Sequence, residues 1–466
     1  MAAQSAMAQT QGYRKAITVA GIRTHQTAFQ TIADNNGGVR SSIGASHDAT
    51  IQYIRGQVAA AGYGASVQPF SFGYAGDVAL PTFARVSPAP STYAPGADFH
   101  TMTYSGSGDV TAPVHKVDLQ LPSSGFSTSG CEATDFAGFP AGTIALVQRG
   151  TCPFNVKVAN AVAAGAAAVI VMNEGNTADR MDAVSGTLGP LSQPVLIPVI
   201  GTSYAVGADL ASGAPPVVRI KTVVATGTAS SSNLIAETPG GDPNNVVIVT
   251  ASADSRYGPG INATSGAAAM IELARVFAAQ ERTPRNRVRF LWLGAFPEGL
   301  HGATYYLSQL SDDERSRIRA VIDMQPIGSP NFGRFVIDGD QVPAVPPDAT
   351  ADAGSATIEA LFKDYFSASG LTFGSSTVTQ NAASFRRTAN IPFGGVHSGY
   401  ANPKSAAEVA LYGGVAGASF DPCFSAACDA LANTSLTALD QLSDANAHVL
   451  LLLSKRNFVQ NPLAPN

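Results

Sequence analysis

Three stretches decide the fold: "NVVIVTAS" at 245–252, "TSGAAAMIELARVFAAQ" at 264–280 and "RVRFLWLGA" at 287–295. The first and third are short apolar runs typical of buried strands, whereas the second has the length and composition of a helix. Strands that alternate with helices of ten or more residues predict a mixed, mostly parallel sheet flanked by helices on both faces. The sequence therefore predicts an α/β fold whose active site lies beyond the carboxyl ends of the strands.

The chain is predicted to form two domains, one inserted into the other. Residues 76–225 consist of short β-rich runs broken by Pro, Gly and Ser, which indicates an inserted module. We expect residues 13–75 and 226–458 to form one larger domain around it. The opening residues, 1–12, contain the small-x-small pattern "AMA" without a preceding apolar segment, so we expect a residual export-signal tail or disorder there, and a further tail at 459–466.

The composition excludes several classes of partner. Charged residues make up only 13% of the chain, against about 25% in a typical globular domain. The formal net charge is -5 and no basic cluster is present, so nothing favours nucleic acid. No apolar stretch reaches the roughly 18 residues that a membrane span requires. We expect neither a nucleic-acid partner nor a membrane span.

The four cysteines fall into two local pairs, Cys131 with Cys152 and Cys423 with Cys428. An even, locally paired count favours two disulfides and therefore an oxidising compartment. We expect a secreted protein, either extracellular or periplasmic. Four buried free thiols are the alternative, and neither pair has the CxxC spacing of a zinc or redox motif.

Several ordered segments carry a resemblance to a known family. They are "GTIALVQRGTCPFNVKVANAVAAGAAAVIVMNEG" (142–175), "GINATSGAAAMIELARVF" (260–277), "VRFLWLGAFPEGLHGATYYL" (288–307), "AVIDMQPIGSPN" (320–331) and "IPFGGVHSG" (391–399). Together they resemble the secreted di-zinc aminopeptidases of peptidase family M 28, which are leucine aminopeptidase-like, with an inserted protease-associated domain. The resemblance implies a zinc-exopeptidase-like (phosphorylase/hydrolase-like) fold that covers nearly the whole chain.

The resemblance also implies positions for metal ligands and a general base, and most of them are changed here. The family's first His ligand falls at Ser252, although the Asp two residues later is kept as Asp254. Its bridging Asp falls at Ala263. In its Glu-Glu pair, the general base falls at Phe296 and the ligand at Pro297.

Only one of the five ligand positions keeps its residue. The Asp after the third strand is kept as Asp323, and the last His, inside the short Cys-to-Cys loop, falls at Ser425. A catalytic zinc needs about three protein ligands of the His, Asp, Glu or Cys type. We therefore expect no catalytic residue at the vacated base position and no cofactor, with zinc as the alternative.

Other residues near the strand ends are candidates for the cleft. Glu298 is next to the vacated pair, but Pro297 fixes φ and makes an inward shift doubtful. His301 and His397 lie near predicted strand ends, where they offer a relocated metal site with Asp323 and Asp254, although a lone His is more often a hydrogen-bonded structural residue.

A nucleophilic triad is a further alternative. Ser252, Asp254 and His397 have the residue types of a triad, but no GxSxG pattern surrounds the serine. Because a buried unpaired carboxylate is costly, we expect Asp323 to lie near solvent or to be hydrogen-bonded to neighbours such as Asn262 or Ser252. Tyr400 is a last cleft candidate.

These losses predict an exported pseudopeptidase, a degenerate di-zinc aminopeptidase fold that serves as a binding or self-assembling structural protein. Its partner would be an unknown peptide, protein or glycan, or a second copy of the chain in a homo-oligomer. The alternative is an active secreted metallo-aminopeptidase or hydrolase with a rebuilt metal site. A third reading places the function in the protease-associated domain.

Overall fold

The computed structural model describes residues 2–177, 180–189, 194–281, 283–341, 348–378 and 380–463. The chain divides into two compact units. The larger unit comprises Met1–Phe72 and Ser230–Asn466, and the smaller unit is Gly73–Ala229, close to the bounds 76–225 expected for the insertion.

The described helices are, in chain order, α1 (Ala2–Ala16), α2 (Val19–Asp34), α3 (Ala45–Ala60), α4 (Phe154–Ala163), α5 (Tyr204–Ala211), α6 (Ser265–Gln280), α7 (His301–Ser308), α8 (Asp312–Ser316), α9 (Ala349–Ala368), α10 (Ala382–Ala389), α11 (Ala406–Tyr412) and α12 (Leu436–Lys455). The described strands are β1 (Gly64–Asp77), β2 (Thr82–Ser87), β3 (Ser91–Tyr93), β4 (Phe99–Thr101), β5 (Gly108–Lys116), β6 (Ile144–Gln148), β7 (Ala168–Met172), β8 (Val199–Thr202), β9 (Val217–Thr222), β10 (Val224–Glu237), β11 (Asp242–Ser252), β12 (Asn286–Leu293), β13 (Ile318–Met324), β14 (Phe335–Ile337), β15 (Gly374–Ser376) and β16 (Phe393–His397).

The larger unit is built on a mixed sheet with the strand order β1-β10-β12-β11-β13-β16-β14-β15. Strands β12, β11, β13 and β16 are parallel neighbours. Strand β10 pairs antiparallel with β12, and β14 pairs antiparallel with β16 and parallel with β15. The central strands are continuous apolar runs because helices cover both faces. Val247, Val249 and Ala251 of β11 belong to one core, and Val246 and Ile248 belong to the core on the opposite face.

The carboxyl ends of the four parallel strands meet at one edge of this sheet. Ser252 is in register with Leu293, Thr250 with Asp323, and Asp323 with Gly395. The turns that follow β11, β12, β13 and β16 therefore lie side by side. The sequence predicts the active site at this edge.

The amino-terminal residues form a packed helix. Helix α1 contains Tyr13, which is 2% exposed and donates its hydroxyl hydrogen bond to the carbonyl of Leu273 at 2.9 Å. Thr10 Oγ1 lies 2.7 Å from Nδ1 of His448. The expected tail or disorder over residues 1–12 is thus replaced by ordered structure, because apolar and hydroxyl side chains recur on the face that packs against the core.

The smaller unit has its own sheet, with the order β3-β2-β9-β5-β6-β7-β8-β4. Its central strands β6 and β7 are buried along their whole length. The disulfide Cys131–Cys152 lies in this unit and Cys423–Cys428 lies in the larger one, so the paired-disulfide prediction is confirmed and the free-thiol alternative is wrong. Among the described helices, none combines the length and apolarity that a membrane crossing demands.

Candidate active site

The turn between β12 and α7, "GAFPEG" at 294–299, has an unusual backbone. Ala295 and Leu300 both adopt left-handed conformations, with φ of 54° and 62°. The amide of Ala295 donates a 2.5 Å hydrogen bond to Oδ2 of Asp254, which fixes the turn against the end of β11. Phe296 and Pro297 are half-buried beside it.

This turn brings Glu298 into a pair with Asp254. Ser42 donates its hydroxyl hydrogen bond to Oε2 of Glu298. Burial raises the pKa of Asp254 to about 6, and the hydrogen bond from the amide of Ala295 opposes that rise. Burial and the charge of Asp254 raise the pKa of Glu298 to about 7. The expectation that Pro297 keeps Glu298 from turning inward is wrong, because the left-handed residues on either side of the turn redirect the chain.

Asp323 is fully buried below the same edge. Its Oδ2 accepts hydrogen bonds from Nε2 of Gln325 at 3.1 Å and from the amides of Gln380 and Ala382, each at 3.3 Å. Tyr400 donates its hydroxyl to Oε1 of Gln325. Burial raises the pKa of Asp323 to about 6. The partners expected from the sequence, Asn262 and Ser252, are therefore wrong, since Gln325 and the start of α10 lie closer.

The serine and histidine of the triad alternative are engaged elsewhere. Ser252 Oγ accepts a hydrogen bond from Nδ2 of Asn381 at 3.0 Å. His397 Nδ1 accepts the amide of Gly399 at 3.1 Å, and its ring packs between Phe335 and Tyr400, with centroids 4.9 Å away on each side. Burial lowers the pKa of His397 to about 3. This neutral, packed ring is structural, and no triad is formed.

A relocated metal site with the two histidines is not assembled either. His301 stacks on Phe72 with centroids 4.6 Å apart, and burial lowers its pKa. Among the residues described, one cluster of three or more His, Cys, Asp or Glu side chains has ligand atoms within 4.8 Å of one another. That cluster is Asp338, Asp340 and Glu359.

Two further carboxyls, which the sequence reasoning missed, lie beside two of the predicted ligand positions, Ala263 and Ser425. Asp429 accepts the amides of Asn262 and Ala263 at 2.8 and 2.9 Å. Asn262 Nδ2 donates to Oδ2 of Asp421 at 2.6 Å. The two acids flank the loop that contains Ser425, whose φ is 55°. Their sequence signal was "DPCFSAACD", an Asp near each cysteine of the short disulfide loop.

A cavity of about 840 Å³ opens beside these turns. Its wall is mainly aromatic and hydroxylic, and its described residues include the carboxylate of Glu408 but no Lys or Arg. The lining residues are Phe296, Phe335, Ser375, Ser376, Thr377, Val378, Gln380, His397, Gly399, Tyr400, Ala401, Asn402, Glu408 and Phe424. Such a wall suits a neutral or cationic ligand with apolar side chains.

The donor set at the family's ligand positions does not fit two zinc ions. Ala263 and Pro297 offer no side-chain lone pair, and the hydroxyl of Ser252 already accepts a hydrogen bond from Asn381. Asp323 remains as a single carboxylate whose Oδ1 has no hydrogen-bond partner among the described residues. Zinc sites require about three ligands of the His, Asp, Glu or Cys type, and these positions supply one.

Similarity to known proteins identifies the family. A protein named Aminopeptidase from Pseudomonas aeruginosa is 40% identical over 430 residues, which cover 91% of this chain and 79% of that protein. The chain belongs to peptidase family M28. The profile described as Peptidase family M28 matches residues 233–450, and the profile described as PA domain matches residues 110–210. Leucine aminopeptidase 2 from Arthroderma otae is 32% identical over 85% of this chain and 76% of its own length.

Solved structures agree on the fold of this M28 chain. An aminopeptidase from Aneurinibacillus sp. strain AM-1 has a TM-score of 0.55 at 24% identity and covers 95% of each chain. The zinc aminopeptidase BSAP from Bacillus subtilis has a TM-score of 0.59 at 20% identity and covers 93% of this chain and 94% of its own. The predicted family and the predicted fold, with its inserted protease-associated domain, are confirmed.

The same relatives correct the predicted function of this M28 chain. The prediction of an exported pseudopeptidase, used only for binding or self-assembly, is wrong, because proteins named as aminopeptidases match most of the chain at up to 40% identity. The prediction of no cofactor has no support, since BSAP, which has a similar fold, is a zinc aminopeptidase. The assignment of family ligand positions to Ser252, Ala263, Pro297, Asp323 and Ser425 stays a prediction.

Proposed function

We propose that this chain is an exported aminopeptidase that removes amino-terminal residues from peptides with a rebuilt acid–base site, Glu298 and Asp254. The observation that carries the proposal is the geometry of the turn at 294–299, where Ser42 donates to Glu298 and the amide of Ala295 donates to Asp254. The chain is also 40% identical to a protein named Aminopeptidase. Two disulfides support export, because such bonds persist in oxidising compartments.

The carboxyl pair suits proton transfer near neutral pH. The pKa of Asp254 is raised to about 6 and that of Glu298 to about 7, so near pH 6.5 one carboxyl is ionised and the other is protonated. The ionised member accepts a proton from the attacking water, and the protonated member donates one to the leaving amine. Glu298 has the higher pKa and is the more exposed of the two, so it is expected to be the protonated member that contacts the leaving amine.

The cavity wall is compatible with a free peptide amino terminus. That group is cationic at neutral pH, and the described lining residues include the carboxylate of Glu408 but no lysine or arginine. The aromatic rings of Phe335, Tyr400 and Phe424 offer apolar contact to the first side chain of the peptide. Charge and shape therefore favour a peptide over an anionic ligand.

The test is turnover of a panel of aminoacyl-p-nitroanilides by wild-type protein and by Glu298→Gln, which keeps the size of the side chain. Removal of a positioned acid or base is expected to lower kcat by about 10²–10⁴. Asp312→Asn is the matched control, because the Asp312 side chain is 100% exposed. Wild-type protein that is folded but inactive on the whole panel, or a fully active Glu298→Gln, would contradict the proposal.

The metal content of the same preparation is measured in parallel. The proposal assigns the proton transfers to Glu298 and Asp254, so turnover is expected to persist after chelation and dialysis. Stoichiometric zinc, with turnover that is lost on chelation and restored by zinc, would instead favour an aminopeptidase with a rebuilt metal site.

A further inference from the structure

We propose that the disulfide Cys131–Cys152 is a thiol-exchange site, at which a small thiol forms a mixed disulfide with Cys152 and Cys131 leaves as a thiolate held by Lys157. The inference concerns the smaller unit and is independent of the proposed peptidase activity. It rests on the position of one buried ammonium group against one of the two sulfurs.

Lys157 is placed against Cys131 by helix α4. Its side chain is fully buried, and Nζ donates to the carbonyl of Ser129 at 2.5 Å and to Sγ of Cys131 at 3.5 Å. Asn160, one turn later, donates to the carbonyls of Gly130 and Cys131 at 3.1 and 2.9 Å. The helix therefore holds the segment 129–131 and fixes the ammonium group beside the sulfur.

The ammonium group has a charge that is incompletely compensated. Lys157 forms no ion pair within 4.0 Å with any described residue. Burial lowers the pKa of Lys157 to about 8, and more distant carboxylates such as Asp135 and Glu174 oppose that shift. A buried charge without a close partner is unfavourable. A negative charge that appears on Cys131 Sγ would supply the missing partner.

The two sulfurs are thus unequal as leaving groups. Cys131 has the ammonium group, whereas no described basic side chain is hydrogen-bonded to Cys152. Cys152 precedes the first residue of α4 by two positions, and the helix dipole gives a weaker preference for negative charge there. Both cysteines are half-buried and in reach of solvent. Exchange is fastest when the sulfur with the lower pKa departs, so attack at Cys152 is favoured.

The exchange conserves atoms and electrons at each step. A thiolate attacks Sγ of Cys152 and forms a new S–S bond, while the Cys131–Cys152 bond breaks and its electron pair goes to Cys131 Sγ. The Cys131 thiolate is stabilised by the protonated Lys157. A second thiol can then attack the mixed disulfide, which releases reduced Cys152 and the symmetrical disulfide of the small thiol.

The disulfide of the larger unit provides an internal control. The amide of Cys423 donates to Oδ1 of Asp421 at 2.9 Å, and Asp429 directly follows Cys428. No described lysine or arginine is hydrogen-bonded to either sulfur of this pair. Neighbouring carboxylates disfavour a thiolate, so Cys423–Cys428 is expected to exchange more slowly.

The experiment treats the full chain with 2-mercaptoethanol at pH 7, quenches with acid and maps each cysteine by mass spectrometry. We expect Cys131–Cys152 to react first, with the adduct on Cys152. Lys157→Gln is expected to slow this reaction about five- to tenfold, because the leaving thiolate loses its cation, whereas Lys157→Arg retains most of the rate. The rate at Cys423–Cys428 should be the same in all three proteins.

Three results would overturn the inference. An adduct on Cys131 in wild-type protein would show that Cys152 is the leaving group. An unchanged rate in Lys157→Gln would show that the ammonium group has no influence. Faster exchange at Cys423–Cys428 than at Cys131–Cys152 in wild-type protein would contradict the proposed contrast, even if the Lys157 variants fold poorly.

Discussion

Two pairs of carboxyl groups lie at the strand-end turns of the larger unit, and they are held in different ways. In the first pair, Asp254 Oδ1 has no hydrogen-bond partner among the described residues, and Glu298 is partly open to solvent. In the second pair, each oxygen of Asp421 and Asp429 accepts at least one N–H donor. Asn433 Nδ2 donates to both acids, at 2.8 and 3.2 Å.

This difference separates a reactive pair from a structural one. Burial raises the pKa of Asp429 to about 7, as it does for Glu298, so the pKa alone does not distinguish the two pairs. In the pair of Asp421 and Asp429, which we call the saturated pair, every carboxylate oxygen accepts a hydrogen bond. This pair connects the turn at 262–263 to the short disulfide loop. The Asp254–Glu298 pair, which we call the unsaturated pair, keeps a free acceptor on Asp254 and a half-buried member, Glu298, that solvent can reach, and proton transfer requires both.

The largest expected effect on stability is at the saturated pair. Asp429→Ala leaves the amides of Asn262 and Ala263 without their acceptor, and each lost partner in the interior costs about 1–3 kcal/mol. We expect the free energy of unfolding to fall by about 3 kcal/mol in urea titrations. The exposed control Asp312→Asn should change it little. A loss below about 1 kcal/mol would contradict the structural role of this pair.

The next effect concerns activity at the unsaturated pair. Asp254→Asn removes the charge that contributes to the raised pKa of Glu298, so that pKa should move down towards its ordinary value. We expect kcat at pH 7 to fall at least about tenfold, because one of the two proton carriers is gone. Steady-state kinetics with a p-nitroanilide substrate provide the measurement. An unchanged kcat would show that Asp254 is not part of the acid–base site.

A smaller effect is expected at Ser42, which is 1% exposed and donates to Glu298. Ser42→Ala removes one hydrogen bond, and we expect a loss of about 1 kcal/mol in the free energy of unfolding. The same change should raise the pKa of Glu298 further, because the Ser42 hydrogen bond lowers it. The alkaline limb of the pH–rate profile would then move up, and a shift in the other direction would contradict this geometry.

The smallest effect is the pH dependence of stability. The folded pKa values of Glu298 and Asp429, each about 7, lie above the ordinary values of 4.5 and 3.8, so the folded state retains protons that the unfolded state has lost. Stability should therefore fall as pH rises from 6.5 to 8, by about 1 kcal/mol. The pKa values of His397 and His448 are lowered to about 3 and 4, so these residues change the stability mainly below pH 6.5. Thermal unfolding of wild-type protein and Glu298→Gln at several pH values measures how steeply stability falls with pH. The fall should be shallower in the variant.

The sequence was sufficient for those features that depend on local pattern. Strand–helix alternation predicted the sheet edge at which Ser252, Leu293 and Asp323 lie, and the cysteine spacing predicted both disulfides. The features that depend on distant contacts were not predictable in this way. Asp429 meets Asn262 across 167 residues of chain, and Glu298 meets Ser42 across 256.

The inward turn of Glu298 shows why the site itself was the hardest part. Pro297 restricts the backbone only at its own position and at the residue before it. Ala295 and Leu300, on either side, adopt left-handed conformations that are uncommon for residues other than glycine, and the sequence did not predict them. Hydrogen bonding of Ala295 to Asp254 stabilises that backbone. Similarly, the hydrogen-bond partners of Asp323 are Gln325 and the backbone at the start of α10. No rule of sequence spacing predicts these contacts.

The pH–rate profile for hydrolysis of an aminoacyl-p-nitroanilide tests the central claim most directly. If Glu298 and Asp254 share one proton, kcat/KM should be highest between pH 6 and 7, with limbs that reflect the pKa values of about 6 and about 7. Glu298→Gln should lower that maximum by at least about 100-fold. An identical profile in wild-type protein and Glu298→Gln would contradict the assignment of acid–base chemistry to this pair.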